Sequence, residues 1–294
     1  MKDTLSRNHP ALLFLHSMDL STNNSEIWPF VDKIFSMRNE AFPWPDYVFI
    51  PFAAWYTVTS QFLGKMQITT DLNEIVLMHE LAVFGTWRMT QDIVRFEPDL
   101  YQALRTMRLP RNIPFSFFKE MPIWCIYFET PNLTLPNENE IVPIYGFWAM
   151  LEFDMNYGTE ELRLFFLTKE QILISFPLML DDTLSIYEAL TEIEQSVVHD
   201  GLISESLGEK YLLIDYHQGK DIINTAINML LYVCINSLDP ESSFAESRKL
   251  MHTMLEKPIH VHTAKKSRLH IVKKMPGESL ENLEATFKSL VNPA

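Results

Sequence analysis

The side chains able to do chemistry come first. His260-Val-His262 puts two imidazoles two residues apart, which on a strand places them on one side, with His252 and His270 flanking them. No carboxylate or thiol lies in the surrounding stretch 257–277, and its six cations (Lys257, Lys265, Lys266, Arg268, Lys273, Lys274) would oppose a dication. A solvated basic strand is the expected reading, with neither metal nor cofactor. His79-Glu80 opens like a helical zinc-protease motif, but Val83 stands where the second imidazole is needed. Asp215-Tyr-His217 has no recognisable nucleophile partner, the Gly-x-Ser-x-Gly elbow is absent, and no Lys follows an Asp or Glu at two residues, as metal-dependent nucleases often require. The chain reads as a non-enzyme. The alternatives are an RNA-directed hydrolase or nuclease with a site assembled across a sheet, and a plasmid or phage accessory protein binding another host target.

Aromatic side chains offer binding rather than catalysis. The chain has 6 Trp, 10 Tyr and 20 Phe, several of them beside arginine or in strand-like stretches. Trp87-Arg88 falls late in a helical pattern, with Gln91 and Arg95 on the same side. Trp124 with Tyr127, and Tyr145 with Trp148, are odd numbers apart in neighbouring strand-like segments, so one member of each pair can face a core and the other a groove. Trp87, Arg88, Trp124, Tyr127 and Trp148 are therefore candidate peptide contacts, and the acidic face at Glu188 and Glu192 is an independent one. Burial of the rings in a core, and of Arg88 against a carboxylate, is the competing reading. Cys125 and Cys234 lie in apolar stretches and read as reduced, buried thiols.

Helices and strands alternate in blocks. Asp71-Leu-Asn-Glu74 resembles a capping box, and Leu77, Leu81, Phe84 and Arg88 share one helical face, predicting a helix over about 71–95. Pro98 and Asp99 start a shorter helix ending before Pro110. Segments 122–128, 144–153, 161–167 and 171–176 are rich in aromatic and β-branched residues and separated by Pro, Asn or Gly, as successive strands are. Asn156-Tyr-Gly158 predicts an antiparallel hairpin between the second and third. Helical spacing returns over 182–199, half exposed and acidic, over 220–236, apolar nearly all round, and over 279–291. The order predicts an α+β fold: an antiparallel meander flanked by helices, with a basic C-terminal appendage.

Charge divides the chain in the same place. Residues 1–240 hold 15 basic and 32 acidic side chains, net −17; residues 241–294 hold 9 and 6, net +3; together these give −14. The expected organisation is an acidic core domain, 1–240, and a basic segment, 241–294. The acidic body suits a cationic peptide, and Lys265, Lys266, Arg268, Lys273 and Lys274 suit nucleic acid. Eight scattered glycines form neither a G-x-G-x-x-G nor a P-loop string, which argues against a phosphate-cradling enzyme. The five-residue apolar run 11–15 is too short for a signal-peptide core, and no 18-residue apolar stretch occurs, so a cytoplasmic protein without a membrane partner is expected.

Phe84-Gly-Thr-Trp-Arg-Met-Thr90, Pro122-Ile-Trp-Cys-Ile-Tyr127, Tyr145-Gly-Phe-Trp-Ala-Met-Leu151 and the helix-plus-turn stretch 222–239 with Asp239-Pro240 occur in this order. Over roughly residues 75–240 the chain thereby resembles a type V-A anti-CRISPR family from mobile elements, whose characterised member represses production of the Cas effector. The resemblance implies recognition of the effector's N-terminal segment as it leaves the ribosome of the bacterial host, followed by loss of the translated mRNA, with mRNA or ribosome contacted through 257–274. Members of that family continue into a longer C-terminal region rich in Arg, His and Trp, whereas this sequence stops at Asn292-Pro-Ala294.

Overall fold

The computed structural model describes residues 5–6, 8–22, 27–38, 43–67, 71–109, 111, 113–136, 141–180, 184–191, 216–256 and 267–274. Four helices precede the sheet: α1 (Pro10–Thr22), α2 (Ile27–Ser36), α3 (Phe52–Leu63) and α4 (Leu72–Trp87). Helix α3 ends on Gly64, whose φ of 65° lets the chain reverse while the N–H groups of Gly64 and Lys65 return to the carbonyls of Gln61 and Ser60. Asp71 caps α4 by accepting from the Asn73 N–H at 2.8 Å.

The helix predicted over 71–95 stops at Trp87. Gln91 takes a φ of 51°, and strand β1 (Asp92–Phe96) follows. Ile93 and Val94 are buried on opposite sheet faces, so β1 reads in sequence as a continuation of the apolar helix. Helix α5 (Pro98–Thr106) starts on Pro98 as expected, and a 3-10 turn spans Phe115–Glu120. The four predicted strands are present as an antiparallel meander: β2 (Cys125–Pro136), β3 (Ile141–Asp154), β4 (Thr159–Thr168) and β5 (Leu173–Leu180). Gly158, at a φ of 68°, closes the β3–β4 hairpin. Residues 186–191 form the helical turn described within the predicted acidic helix, preceded by Leu184 and by Ser185, which bridges to Pro114; 182–183, 192–199 and all of 279–291 lie outside the described residues.

Helix α6 (Tyr216–Ser237) is the predicted core helix, and α7 (Ala245–Glu256) follows it. Strand β6 (Arg268–Val272) then pairs in parallel with β1, which is itself parallel to β2, giving one mixed sheet in the order β5-β4-β3-β2-β1-β6. The basic C-terminal segment therefore contributes an outer strand to the sheet of the body. Its anchor is Asp92, fully buried, which accepts from Arg268 at 2.6 and 3.0 Å and lies 3.1 Å from His270 Nε2; the His270 ring stacks on Phe244.

Both faces of the sheet are covered. On one, Tyr127, Trp148 and Phe165 form a cross-strand row beneath α1 and α4. On the other, Phe128, Phe147 and Phe166 stack in register, and Phe96 beside them meets Tyr232 of α6. Asn228 of α6 donates to the Leu104 and Met107 carbonyls, satisfying the end of α5.

Candidate recognition site

Three of the predicted contact residues meet. The rings of Tyr127 and Trp148 lie 4.6 Å apart across β2 and β3, and Trp87 from the end of α4 stands 5.7 Å from Trp148 and 6.2 Å from Tyr127. All three are fully buried. Trp87 is fixed by its indole N–H donating to the Asp92 carbonyl. Helix α1 covers the cluster: Phe14 lies 5.1 Å from Trp148, and His9 meets the Tyr127 ring edge-on at 5.5 Å. Gly146 makes this packing possible, because a Cβ there would stand 2.3 Å from both the Tyr127 hydroxyl and the Phe128 carbonyl.

The other candidates lie elsewhere. Trp124 packs on Phe35 and Phe49 and donates to the Asp46 carbonyl, so it ties the loop after α2 to the sheet and is as buried as Tyr127. Both members of that pair are interior, whereas Tyr145 is exposed and Trp148 is not. Arg88 stacks over Trp28 at 4.0 Å; burial lowers its pKa to about 10 against the opposing charges of Asp32 and Asp19. Glu188 is exposed and accepts from the Ser185 N–H and hydroxyl, while Ser185 Oγ accepts from the Glu188 N–H, a capping box at the start of 186–191. Those bonds hold its carboxyl below the usual range. Glu192, Lys265 and Lys266 lie outside the described residues, as do His260 and His262. Of the remaining basic candidates, Arg268 is bound to Asp92, Lys273 stands 3.2 Å from Glu97, and Lys274 is exposed.

Next to the aromatic cluster lies a polar group that sequence reasoning missed. Glu129 accepts from Arg95 and pairs with His9 at 2.9 Å. Burial pushes its carboxyl up, but the hydrogen bonds and charges of His9 and Arg95 outweigh that and leave it below the usual range. Burial, then Glu129 and Tyr145, drive the Tyr127 phenol far above its ordinary value, so it stays protonated. The sheet is irregular here. Register slips between Glu129 and Leu133 on β2 and between Ile144 and Gly146 on β3, with Asn132 at a φ of 62°. The bulged Tyr145 is thereby turned outward beside the Glu129 cluster. The only sequence signals were Pro131-Asn132 inside a strand-like run and the glycine after Tyr145.

A second buried cluster joins helix to sheet. Arg163 of β4 donates to Glu161 and to His79 of α4, stands 3.0 Å from Glu152 and stacks on Phe52. Burial, then the Arg163 charge, lowers the His79 pKa to about 3, leaving a neutral acceptor. Burial raises the Glu152 carboxyl well above the usual range despite Arg163. Cys125 and Cys234 are buried free thiols, both raised by burial. No grouping of three or more metal-ligating side chains occurs among the described residues, nor any helix long and apolar enough to cross a membrane.

The model of the AcrVA2-like family, anti-CRISPR type V subtype A2, matches residues 94–289, about two thirds of the chain. The chain belongs to this AcrVA2-like family. A solved crystal structure of AcrVA2 superposes with a TM-score of 0.57 at 17% identity, covering 78% of this chain and 70% of that one, which establishes a shared fold. Protein FinQ of Escherichia coli is 27% identical over 206 residues, 64% of this chain; the chain spans 58% of the length of that relative. The family match takes in the meander, α6 and β6, while α1 to α4 precede it.

Proposed function

We propose that this chain is a non-enzymatic anti-CRISPR protein that binds the N-terminal segment of a type V-A Cas effector during translation and lowers the effector's mRNA and protein. Family membership over residues 94–289 is the observation that carries the reading. Charge supports it: a body of net −17 steers a cationic segment inward and repels free polyanions. In this reading the segment meets the Trp87, Tyr127 and Trp148 side of the sheet, while the stretch 257–274 faces mRNA or ribosome. There the charge comes from Lys257, Lys265, Lys266 and Lys274, since Arg268 and Lys273 already have acidic partners.

Titrating a labelled peptide of the effector's N-terminus tests recognition, and co-expression with quantification of effector mRNA tests its consequence. Binding should be visible well below about 100 μM, corresponding to roughly −5.5 kcal/mol. No binding at that concentration, or effector mRNA and protein at control levels, overturns the reading.

A relative whose name carries no anti-CRISPR description, protein FinQ, keeps a second reading beside the first: a plasmid or phage accessory protein that binds another host target. Pull-down from cells that lack any CRISPR effector separates the two, because a stoichiometric partner there supports the second. Incubation of the protein with RNA and divalent metal should leave the RNA intact under both.

A further inference from the structure

Helix α1 and the residue just before it, His9, reach the sheet through two side chains of distinct chemistry. His9 brings an imidazole to Glu129 at 2.9 Å, and Phe14, five residues on, brings a ring to Trp148 at 5.1 Å. The fit is incomplete. His9 Nδ1, Tyr127 OH and Trp148 Nε1 are all buried at this seam with no hydrogen-bond partner among the described residues. Of the other buried indole N–H groups, that of Trp87 in the same cluster and that of Trp124 are satisfied by backbone carbonyls, while that of Trp55 has no partner among the described residues either. Buried donors left unpaired are costly, and a segment with carbonyls at the right places would relieve that cost. Helix α1 is buried along one stripe, Ala11, Phe14, Met18 and Thr22, and on its outer side Leu13 and Leu20, 44% and 67% exposed, stand among exposed His16, Ser17 and Asp19. It lies before the matched family region, whereas Tyr127, Glu129 and Trp148 lie within it.

We propose that α1 is an intramolecular occupant of a peptide site, and that a segment carrying a cationic or imidazole side chain and an aromatic ring displaces it, setting its charge on Glu129 and its ring on Trp148. This deepens the peptide-recognition reading above and rests on it. Because α1 must leave before the ligand enters, the apparent affinity is reduced by the fraction of molecules in which α1 is undocked. Changes that loosen α1 without altering the sheet should therefore tighten binding.

Hydrogen exchange on the full chain, with and without a synthetic peptide of the effector's N-terminus, tests this in wild type, Phe14→Ala and His9→Ala. Without peptide, amides of α1 should exchange through local opening well before those of α4 and β3. Peptide should accelerate α1 further while protecting β2 and β3, and each variant should bind about threefold tighter or more, as relief of the undocking cost requires. If Phe14→Ala does not fold, His9→Ala and the ligand-free exchange carry the test. Exchange of α1 no earlier than α4 overturns the proposal whatever the peptide does. Binding with α1 protection and affinities unchanged also overturns it but leaves peptide recognition standing. No binding by wild type or by either variant overturns both.

Discussion

Replacing His79 by Gln should destabilise the protein by an amount that depends on pH. In the folded chain the His79 imidazole accepts from Arg163 at 2.8 Å and is held neutral, with its pKa lowered to about 3 by burial and by the Arg163 charge. The unfolded chain titrates near 6.5. A folded pKa below the unfolded one gives stability that is complete above the unfolded value and is lost as pH falls from there toward the folded value. Each pH unit inside that window is worth about 1.4 kcal/mol, so between about pH 7.5 and 5 the histidine's contribution falls by about 2 kcal/mol. Gln offers an acceptor oxygen to Arg163 but does not titrate. The stability difference between wild type and His79→Gln, measured by urea denaturation followed through tryptophan fluorescence, should thus shrink by about 2 kcal/mol over that interval. Comparing the two proteins at each pH removes the titration of every other group. A difference that stays constant with pH would refute the assignment of His79 as a buried neutral acceptor.

Glu152 carries the opposite sign: burial raises its folded pKa, so its contribution is present at low pH and lost as pH rises above the ordinary carboxylate range. Glu152→Gln should be more stable relative to wild type at alkaline than at acidic pH, and thermal melts at both show it. Gly146→Ala places a Cβ against the Phe128 carbonyl and the Tyr127 ring, and should cost about 1–3 kcal/mol by overpacking, read from the urea midpoint. Asp92→Ala leaves Arg268 and His270 without their buried partner, and about 3–5 kcal/mol of stability should go with it. Hydrogen exchange of that variant should show β6 losing protection before the meander does.

The elements legible in the sequence are those whose partners are near in the chain. The meander shows itself through turn residues between aromatic, β-branched runs, and α6 through an apolar surface too long for a strand. Strand β1 does not, and β6 shows only as a basic strand expected in solvent, because each is five residues long and their mutual pairing joins residues some 176 positions apart. Nothing local marks Asp92 as the partner of Arg268. The same limit explains the basic segment: counting charge gives +3, but the count does not reveal that Arg268 and Lys273 are held by acidic residues of the body. For the site, strand alternation assigns Tyr127 and Trp148 to a face without saying what covers it. With helices on both sides of the sheet, a row of aromatics is interior on either face, and period alone cannot separate a groove from a core. What this row has packed against it is polar chemistry: Glu129 shared by Arg95 and His9, and ring donors with no partner among the described residues under α1. Helix α6 also brings a polar group to its face, but both Asn228 N–H bonds reach carbonyls at the end of α5, whereas the ring donors under α1 meet no partner among the described residues, so the search for the peptide belongs under α1.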